Sequence, residues 1–405
     1  MPVSITQALD IIYKNTPVVN TELLPIELAL GRIMSEDSIA AFDLPRFDNS
    51  AMDGYVVKCS DAGTTVTCHE VIYAGDSPQM TLENKTAIKI MTGAPIPNGC
   101  EAVIPIENVT VDDAQVTLPK EIKKDGHIRH AGEDIKSGAV YLHKGERVTA
   151  YSIALLASQG VTHLRVTRKI KVAVFGTGDE LRPHFEKIEP HQLYNSNTPM
   201  FLARAKELGC EVQYIGSSDD TIGSLESSIK SALNADIIIT SGGVSMGDRD
   251  FTKEAFTNLG MKLHFDKVDI KPGKPTAFGT IGETVVINLP GNPLASMVNY
   301  EIFVRASIRK MSGMSAYRHD TVSTQMKEDF TLRAGKHTVR LGIFDGKTFM
   351  PFSKQLPGML SPLEQANAML ITTPDVAMLE KGKTVKIMPI NWELTSVLKE
   401  DFFTQ

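Results

Sequence analysis

The chain has 405 residues, a formal net charge of −6, 42% hydrophobic and 22% charged residues. Such a composition is globular rather than disordered, and the length asks for roughly two to four domains, since one core seldom serves more than about 200 residues. The acidic balance argues against a general nucleic-acid binder, while a few local lysines or arginines can still set the field of one cleft for an anionic ligand.

The start, residues 1–13, lacks a basic segment followed by an apolar one, so no leader is expected. Ile5, Ala8, Leu9 and Ile12 share one helical face, with Ser4 as the N-cap. Pro25, Pro45 and the turn at residues 48–50 follow. From Tyr55 to about Leu118 short β-runs alternate with Gly, Pro and Asn, notably 66–72, 86–90 and 102–106, which predicts a small β-domain. An apolar helix is expected over 150–158, stopped at Gly160. The texture changes at Lys169. Apolar strands at 170–175, 211–215, 236–240 and 284–289 alternate with helices at 200–208, 222–233 and 294–308, the pattern of βαβ units on a parallel sheet. From about Ser315 the chain is again β-like, for example at 385–390. The apolar runs are too short to span a bilayer, and the four cysteines (Cys59, Cys68, Cys100, Cys210) form no C-x-x-C pair. A cytoplasmic protein with reduced, idle thiols is expected.

Open parallel sheets bind ligands beyond the carboxyl ends of their strands, and four strand ends carry unusual residues. Gly176-Thr177-Gly178-Asp179-Glu180 offers two glycines for close backbone approach and two carboxylates; a tight turn with a solvated acid pair is the competing reading. It is no dinucleotide fingerprint, and the chain has no phosphate-binding G-x-x-x-x-G-K-[ST] loop. Ser241-Gly242-Gly243-Val244-Ser245 with Asp248 and Asp250 suits an anion cradle beside a divalent metal held through carboxylates. Asp219 and Asp220 add acids at the same edge, although on their own helix capping explains them better. Lys271 and Lys274 stand on a Pro-Gly frame near Pro290-Gly291-Asn292-Pro293, so little ordering entropy is lost when an anion binds. The amino-terminal half adds polar clusters around Asp53, Thr92 and Asp134, while His127 and His130 give no metal pattern.

Together these segments resemble the MoeA-type molybdopterin molybdenumtransferase family, to which the gephyrin E domain also belongs. The resemblance runs in order through FDNSAMDGY (47–55), IMTGAP (90–95), AGEDI (131–135), GTGDEL (176–181), SGGVSMGDRD (241–250), IKPGKP (270–275) and LPGNP (289–293). It implies a multidomain α/β and β protein. An elongated amino-terminal domain (1–46 and 131–168) carries an inserted β-rich domain (47–130). An α/β domain similar to molybdopterin adenylyltransferase follows (169–314), then a carboxy-terminal β-barrel-like domain (315–405).

The resemblance also implies chemistry: Mg²⁺-dependent insertion of molybdate into adenylylated molybdopterin, with AMP released. Glu180, Asp219 and Asp250 match metal and catalytic acids, and Lys271 is counted with the catalytic set. Substrate contacts are implied at Asp53, Thr92, Asp134, Gly176, Thr177, Gly178, Asp179, Ser241, Gly242, Gly243, Ser245, Lys267, Lys274, Pro290, Gly291, Asn292, Pro293 and Arg340. In this family Asp53, Thr92 and Asp134 reach the site across a homodimer interface, and contact with the adenylyltransferase is a further implied partnership; neither nucleic acid nor membrane is. The soft molybdenum ligands come from the pterin dithiolene. The chain departs from the family's G-R-x-x-F-x-R strand: it reads Gly335-Lys336-His337-Thr338-Val339-Arg340-Leu341, with the arginine one residue early, and a one-residue shift on a strand changes the face. The turn Gln355-Leu356-Pro357-Gly358 also lacks the family's serine. The rival readings are the ATP-using adenylyltransferase, a non-catalytic scaffold of the gephyrin kind, and a general Mg²⁺ phosphohydrolase.

Overall fold

A computed structural model of the chain describes residues 1–77, 79–219, 221–242 and 251–391. The chain forms two compact units, one from residues 36–144 and 150–162, the other from 1–35, 145–149 and 163 onward. Among the described residues no helix is long and apolar enough to cross a membrane.

The smaller unit is built on a six-stranded sheet. Its strands are β1 (Gly54–Val57), β2 (Thr65–Ile72), β3 (Thr86–Ile90), β4 (Ala102–Pro105), β5 (Thr110–Asp112) and β6 (Gln115–Thr117), in the order β4-β1-β3-β2-β6-β5. β1 is buried along its whole length because both faces of the sheet are covered. Tyr55 and Val57 join one apolar cluster, Val56 the opposite one. The expected helix forms over Ala150–Ser158, and Gly160 follows it with φ +69°, a left-handed conformation that ends helices.

The larger unit begins with helix α1 (Ile5–Asn15). Ser4 Oγ accepts from Gln7 N at 3.1 Å while Ser4 N donates to Gln7 Oε1 at 2.9 Å, a reciprocal cap. Ala8 and Ile12 are in the core, with Ile5 and Leu9 packed against it. The central sheet has β7 (Lys171–Thr177), β8 (Glu211–Ser218), β9 (Ile237–Ser241), β10 (Lys262–Phe265), β11 (Ala277–Ile281) and β12 (Thr284–Leu289), ordered β8-β7-β9-β12-β11-β10. The first four in that order are parallel, as the alternating pattern predicts; β11 and β10 run antiparallel at one edge. Alternation sorts the strands' side chains. Val172, Val174, Ile237 and Ile239 face α1, α2 (Asn197–Glu207) and α3 (Pro293–Asn299). Ala173, Phe175 and Ile238 face the helices Ile222–Ala232 and Phe251–Asn258.

The single helix expected over 294–308 is divided into α3, a π-helical turn (Tyr300–Val304) and α4 (Arg305–Met311). This stretch is buried all round and carries a charge. Glu301, 1% exposed, accepts from Arg204 Nε at 2.6 Å and forms an ion pair with Arg305 Nη1 at 2.8 Å. The same two guanidinium groups donate to the carbonyls of Ile390 and Pro389. A closed barrel follows, β13 (Val322–Met326), β14 (Thr338–Phe344), β15 (Thr348–Pro351), β16 (Ala368–Thr372) and β17 (Thr384–Pro389), ordered β13-β15-β14-β16-β17. Val339, Leu341, Met369 and Met388 extend the sheet's core into it, so the Glu301 cluster joins helix layer and barrel.

Glu301→Gln leaves two buried guanidinium groups without their carboxylate. It is expected to cost about 3–5 kcal/mol in urea unfolding, the usual loss when one member of a buried ion cluster is removed. Next to this cluster His319 Nε2 donates to the Ile302 carbonyl at 2.7 Å, and its buried Nδ1 has no partner among the described residues. Burial pulls its pKa down to about 4, the Ile302 carbonyl opposing and Arg305 and Arg309 assisting. The folded pKa lies below the unfolded value, so the native state loses stability as pH falls from about 6.5 towards 4 and is unaffected above that window. Unfolding midpoints between pH 7.5 and 4 are expected to fall by the equivalent of roughly 3 kcal/mol in the wild type and by distinctly less in His319→Gln.

Candidate active site

The carboxyl ends of β7, β9 and β12 open on a cleft of about 720 Å³, lined by Thr177, Gly178, Glu180, Asn195, Asn197, Ser241, Gly242 and the turn Pro290–Pro293. A second cleft of about 330 Å³ adjoins it, the two sharing Pro275, Pro290 and Asn292. Among the described residues its lining includes Lys271, Lys274, Lys336, Thr338, Arg340 and Gln355, and no carboxylate.

Close polar approach dictates Gly178 and Gly242 in the first cleft and Gly176 just behind its lining. A Cβ on Gly176 would lie 2.5 Å from Asn195 Nδ2, one on Gly178 2.8 Å from Glu180 Oε2, and one on Gly242 2.5 Å from the Thr177 carbonyl oxygen. Glu180 is exposed at the cleft, and its carboxylate accepts no hydrogen bond among the described residues. Asn197, at the start of α2, ties two walls together: its Nδ2 donates to Ser241 Oγ and to the Gly291 carbonyl, both at 2.7 Å. Ser241 Oγ then donates to Pro290 O at 3.3 Å.

The second cleft depends on how residues 271–275 are held. Lys271 N donates to His337 O and Lys271 O accepts from Val339 N, both at 2.8 Å, fastening the lysine loop to β14. On the other side Asn299 Nδ2 donates to Gly273 O at 3.1 Å and to Ala295 O at 2.8 Å. Gly273 has φ +102°, and a Cβ there would lie 1.7 Å from Asn299 Nδ2. The first amides of α3 are taken: Leu294 N and Ala295 N donate to Pro357 O at 2.9 and 3.3 Å. Anion binding in this cleft therefore falls to side chains. Arg340 sits beside the Phe330 ring, half-buried, with Nε unpartnered among the described residues, and burial lowers its pKa from the usual range. The shifted arginine of the sequence thus lines this cleft all the same, and the hydroxyl beside it is Thr338 rather than a serine in the 355–358 turn.

Several expected residues stand apart. Lys267 and Asp219 line neither cleft; the Lys267 carbonyl accepts from Val3 N, and Asp219 is exposed beyond β8. Asp179 follows Gly178, but its side chain is not in the lining. Gly243, Ser245 and Asp250, with Asp248 and Asp220, lie outside the described residues. In the smaller unit Asp53 Oδ1 accepts from Thr92 N at 2.7 Å and Thr92 Oγ1 at 2.8 Å, bonds that hold its carboxyl below the ordinary range. Asp134 N donates to Leu44 O at 3.0 Å.

Sequence reasoning missed Asn195, Asn197, Thr338 and Asn299. The run Asn195-Ser196-Asn197-Thr198 holds more short polar side chains than one helix cap uses, and that excess was the available signal. Ser196 itself makes no side-chain cap. Among the described residues no three His, Cys, Asp or Glu side chains are grouped to hold a metal. All four cysteines are free, and burial pushes the Cys100 and Cys210 thiols up to about 12, which keeps them unreactive.

Known proteins match this chain over more than nine-tenths of its length. Residues 3–160 match the MoeA N-terminal region (domain I and II), 173–310 the probable molybdopterin binding domain, and 324–390 the MoeA C-terminal region (domain IV). The chain is 32% identical to the molybdopterin molybdenumtransferase of Staphylococcus epidermidis over 96% of this chain and 95% of that one. It is 34% identical to the Haemophilus influenzae protein of the same name, over 92% and 94%. The crystal structure of the molybdopterin biosynthesis MoeA protein of Pyrococcus horikoshii superposes with a TM-score of 0.86 at 26% identity, covering 96% of this chain and all of that one. With three family regions matched in order and relatives at 32–34% identity over more than nine-tenths of its length, the chain belongs to the MoeA family of molybdopterin molybdenumtransferases.

Proposed function

We propose that this protein is a molybdopterin molybdenumtransferase of molybdenum cofactor biosynthesis, which inserts molybdate into adenylylated molybdopterin and releases AMP. The observation that carries this reading is the pair of adjoining clefts. One is glycine-walled and carries the unbonded Glu180 carboxylate; the other, among the described residues, carries four cations and no acid. A substrate with a phosphoanhydride and an oxyanion to receive matches that division. The pterin nucleotide occupies the larger cleft, its phosphates against the close-packed glycine backbone. Molybdate occupies the smaller one, between Lys271, Lys274, Lys336 and Arg340.

Glu180 suits one Mg²⁺ contact, because this ion takes one or two carboxylates and keeps its waters and substrate phosphates as other ligands. Asp250 is the second carboxylate of the proposal, with Asp219 and Asp179 in the outer water network. When bound, the ion neutralises the anhydride's charge. The chain's own work is placement. Asn197 holds the strand end and the Pro-Gly-Asn-Pro turn at fixed separation, and Asn299 and β14 fix the lysines before any anion arrives. Asp53, Thr92 and Asp134 complete the site from a second copy in a homodimer, which a handover from the adenylyltransferase supplies in the cytoplasm.

AMP release from adenylylated molybdopterin, with molybdate and Mg²⁺, tests this directly. Lys271→Ala is expected to raise the molybdate KM about tenfold or more, the worth of one charge-assisted bond. Glu180→Gln is expected to lower kcat by about 10² with molybdate binding retained. Net synthesis of the adenylate from ATP by this chain alone would sink the reading. Gly273→Ala combines a left-handed φ with an atom clash against Asn299. It is expected to lower stability by about 1–3 kcal/mol and to raise the molybdate KM with little change in pterin-nucleotide affinity.

A further inference from the structure

A third cavity, of about 220 Å³, shares no lining residue with either cleft. Among the described residues five cationic side chains line it, Arg32, Arg147, Arg168, Lys169 and Arg309, and no carboxylate does. Two of the five are answered nearby. Arg32 pairs with Glu22 and also donates to Thr167 O at 2.6 Å, and Arg168 makes two 2.6 Å bonds to Asp236. The other three are not. Arg147 reaches only neutral acceptors, Gly31 O at 3.2 Å and Met314 Sδ at 3.9 Å. Among the described residues the side chains of Lys169 and Arg309 make no hydrogen bond or ion pair.

Arg309 is half-buried, and burial lowers its pKa. Glu301 opposes that shift while Arg147 adds to it. Glu301, however, is already bonded to both Arg204 and Arg305. Helix polarity explains part of this: Arg309 and Lys310 lie in the last turn of α4, where positive charge complements the carbonyl end. It does not explain why segments 31–33, 145–149 and 167–170 bring further cations to the same cavity in a chain whose net charge is −6. Crowded cations without a counter-charge destabilise a native state, and an anion that answers them stabilises it.

We propose that this cavity is a second anion site, which takes a small tetrahedral dianion of the class of phosphate, molybdate or a phosphomonoester group, held by Arg147, Lys169 and Arg309. Its volume admits one such group with several waters, at about 30 Å³ each. Guanidinium forks match the oxygen spacing of a tetrahedral oxyanion. Because Arg147 and Arg309 come from distant segments, the bound anion ties the 145–149 stretch to α4.

The test is calorimetric titration and thermal melting of the full chain with sodium phosphate, sodium molybdate or methyl phosphate, against sodium chloride at equal ionic strength. The background is Lys271→Ala/Lys274→Ala, which weakens anion binding in the cleft of the proposed reaction and leaves this cavity intact. In that background at least one of the three anions is expected to bind with one equivalent and to raise the melting temperature above the chloride control. The arm that responds identifies the member of the class. Adding Arg147→Gln/Arg309→Gln is expected to abolish the response, and the exposed Lys169→Gln, which leaves the fold undisturbed, to weaken the affinity about tenfold. Absence of binding by all three anions in the background, or an undiminished response in Lys169→Gln, overturns the proposal. Neither result bears on molybdate transfer, which is read from AMP release by the wild type.

Discussion

Four cations around one small cleft repel each other, and the structure must hold them together before any anion arrives. It does so through backbone rather than through counter-charges. Both the N–H and the carbonyl of Lys271 are bonded to β14, and Gly273 is pinned from below by Asn299. A carboxylate would have made the same cluster easier to fold, but it would also have competed with the ligand. Placing the restraint in main-chain hydrogen bonds leaves the ammonium and guanidinium groups free to bind, and an anion entering a pre-ordered site loses less entropy. The barrel is thus more than a terminal appendage: one of its strands forms the wall to which the lysine loop is fastened.

The same economy of contact appears in the larger cleft. Gly242 in its wall and Gly176 just behind it face Thr177 and Asn195 at distances that admit no Cβ, and Gly178 takes φ +144° against the Glu180 carboxylate. Reading such glycines only as flexible turn residues misses half of their role, which is to let polar groups approach the backbone. Asn197 shows the consequence for rigidity. Its amide takes the Gly291 carbonyl, which can only accept, so the orientation of the side chain is fixed by chemistry. The strand end at Ser241 and the turn after β12 therefore move together.

How much of this was legible in the sequence depends on the kind of signal. The parallel strands β7, β9 and β12 were visible because their residues are apolar on both faces, and helix α1 because its apolar period and Ser4 cap coincide. The antiparallel edge was not read, since β10 holds His264 and β11 is interrupted by Gly279, whose Cβ would meet Met261 Sδ at 2.8 Å. The motif loops were legible as places for chemistry, and Lys271, Lys274 and Glu180 line the clefts accordingly. Asn299 was not, because an asparagine inside a helix sequence carries no mark of a contact with Gly273, 26 residues earlier. Arg340 is the most instructive position. Strict alternation would have moved it to the other face, but β14 has the burial order buried, buried, intermediate, buried, buried, intermediate, buried, so period-two reasoning fails on this barrel strand.

The distribution of charge completes the physical picture. A net charge of −6 keeps the molecule's far field repulsive to anions. Both cation-lined cavities must therefore act at short range, within about a Debye length of 8–10 Å at ordinary ionic strength. Such sites discriminate by fit rather than by steering. A ligand gains little attraction until it is close enough to meet Lys271 and Arg340, or Arg147 and Arg309, at hydrogen-bond distance. Two cationic cavities can then coexist on one acidic chain without acting as general anion traps, because each is open only to groups small enough to enter it.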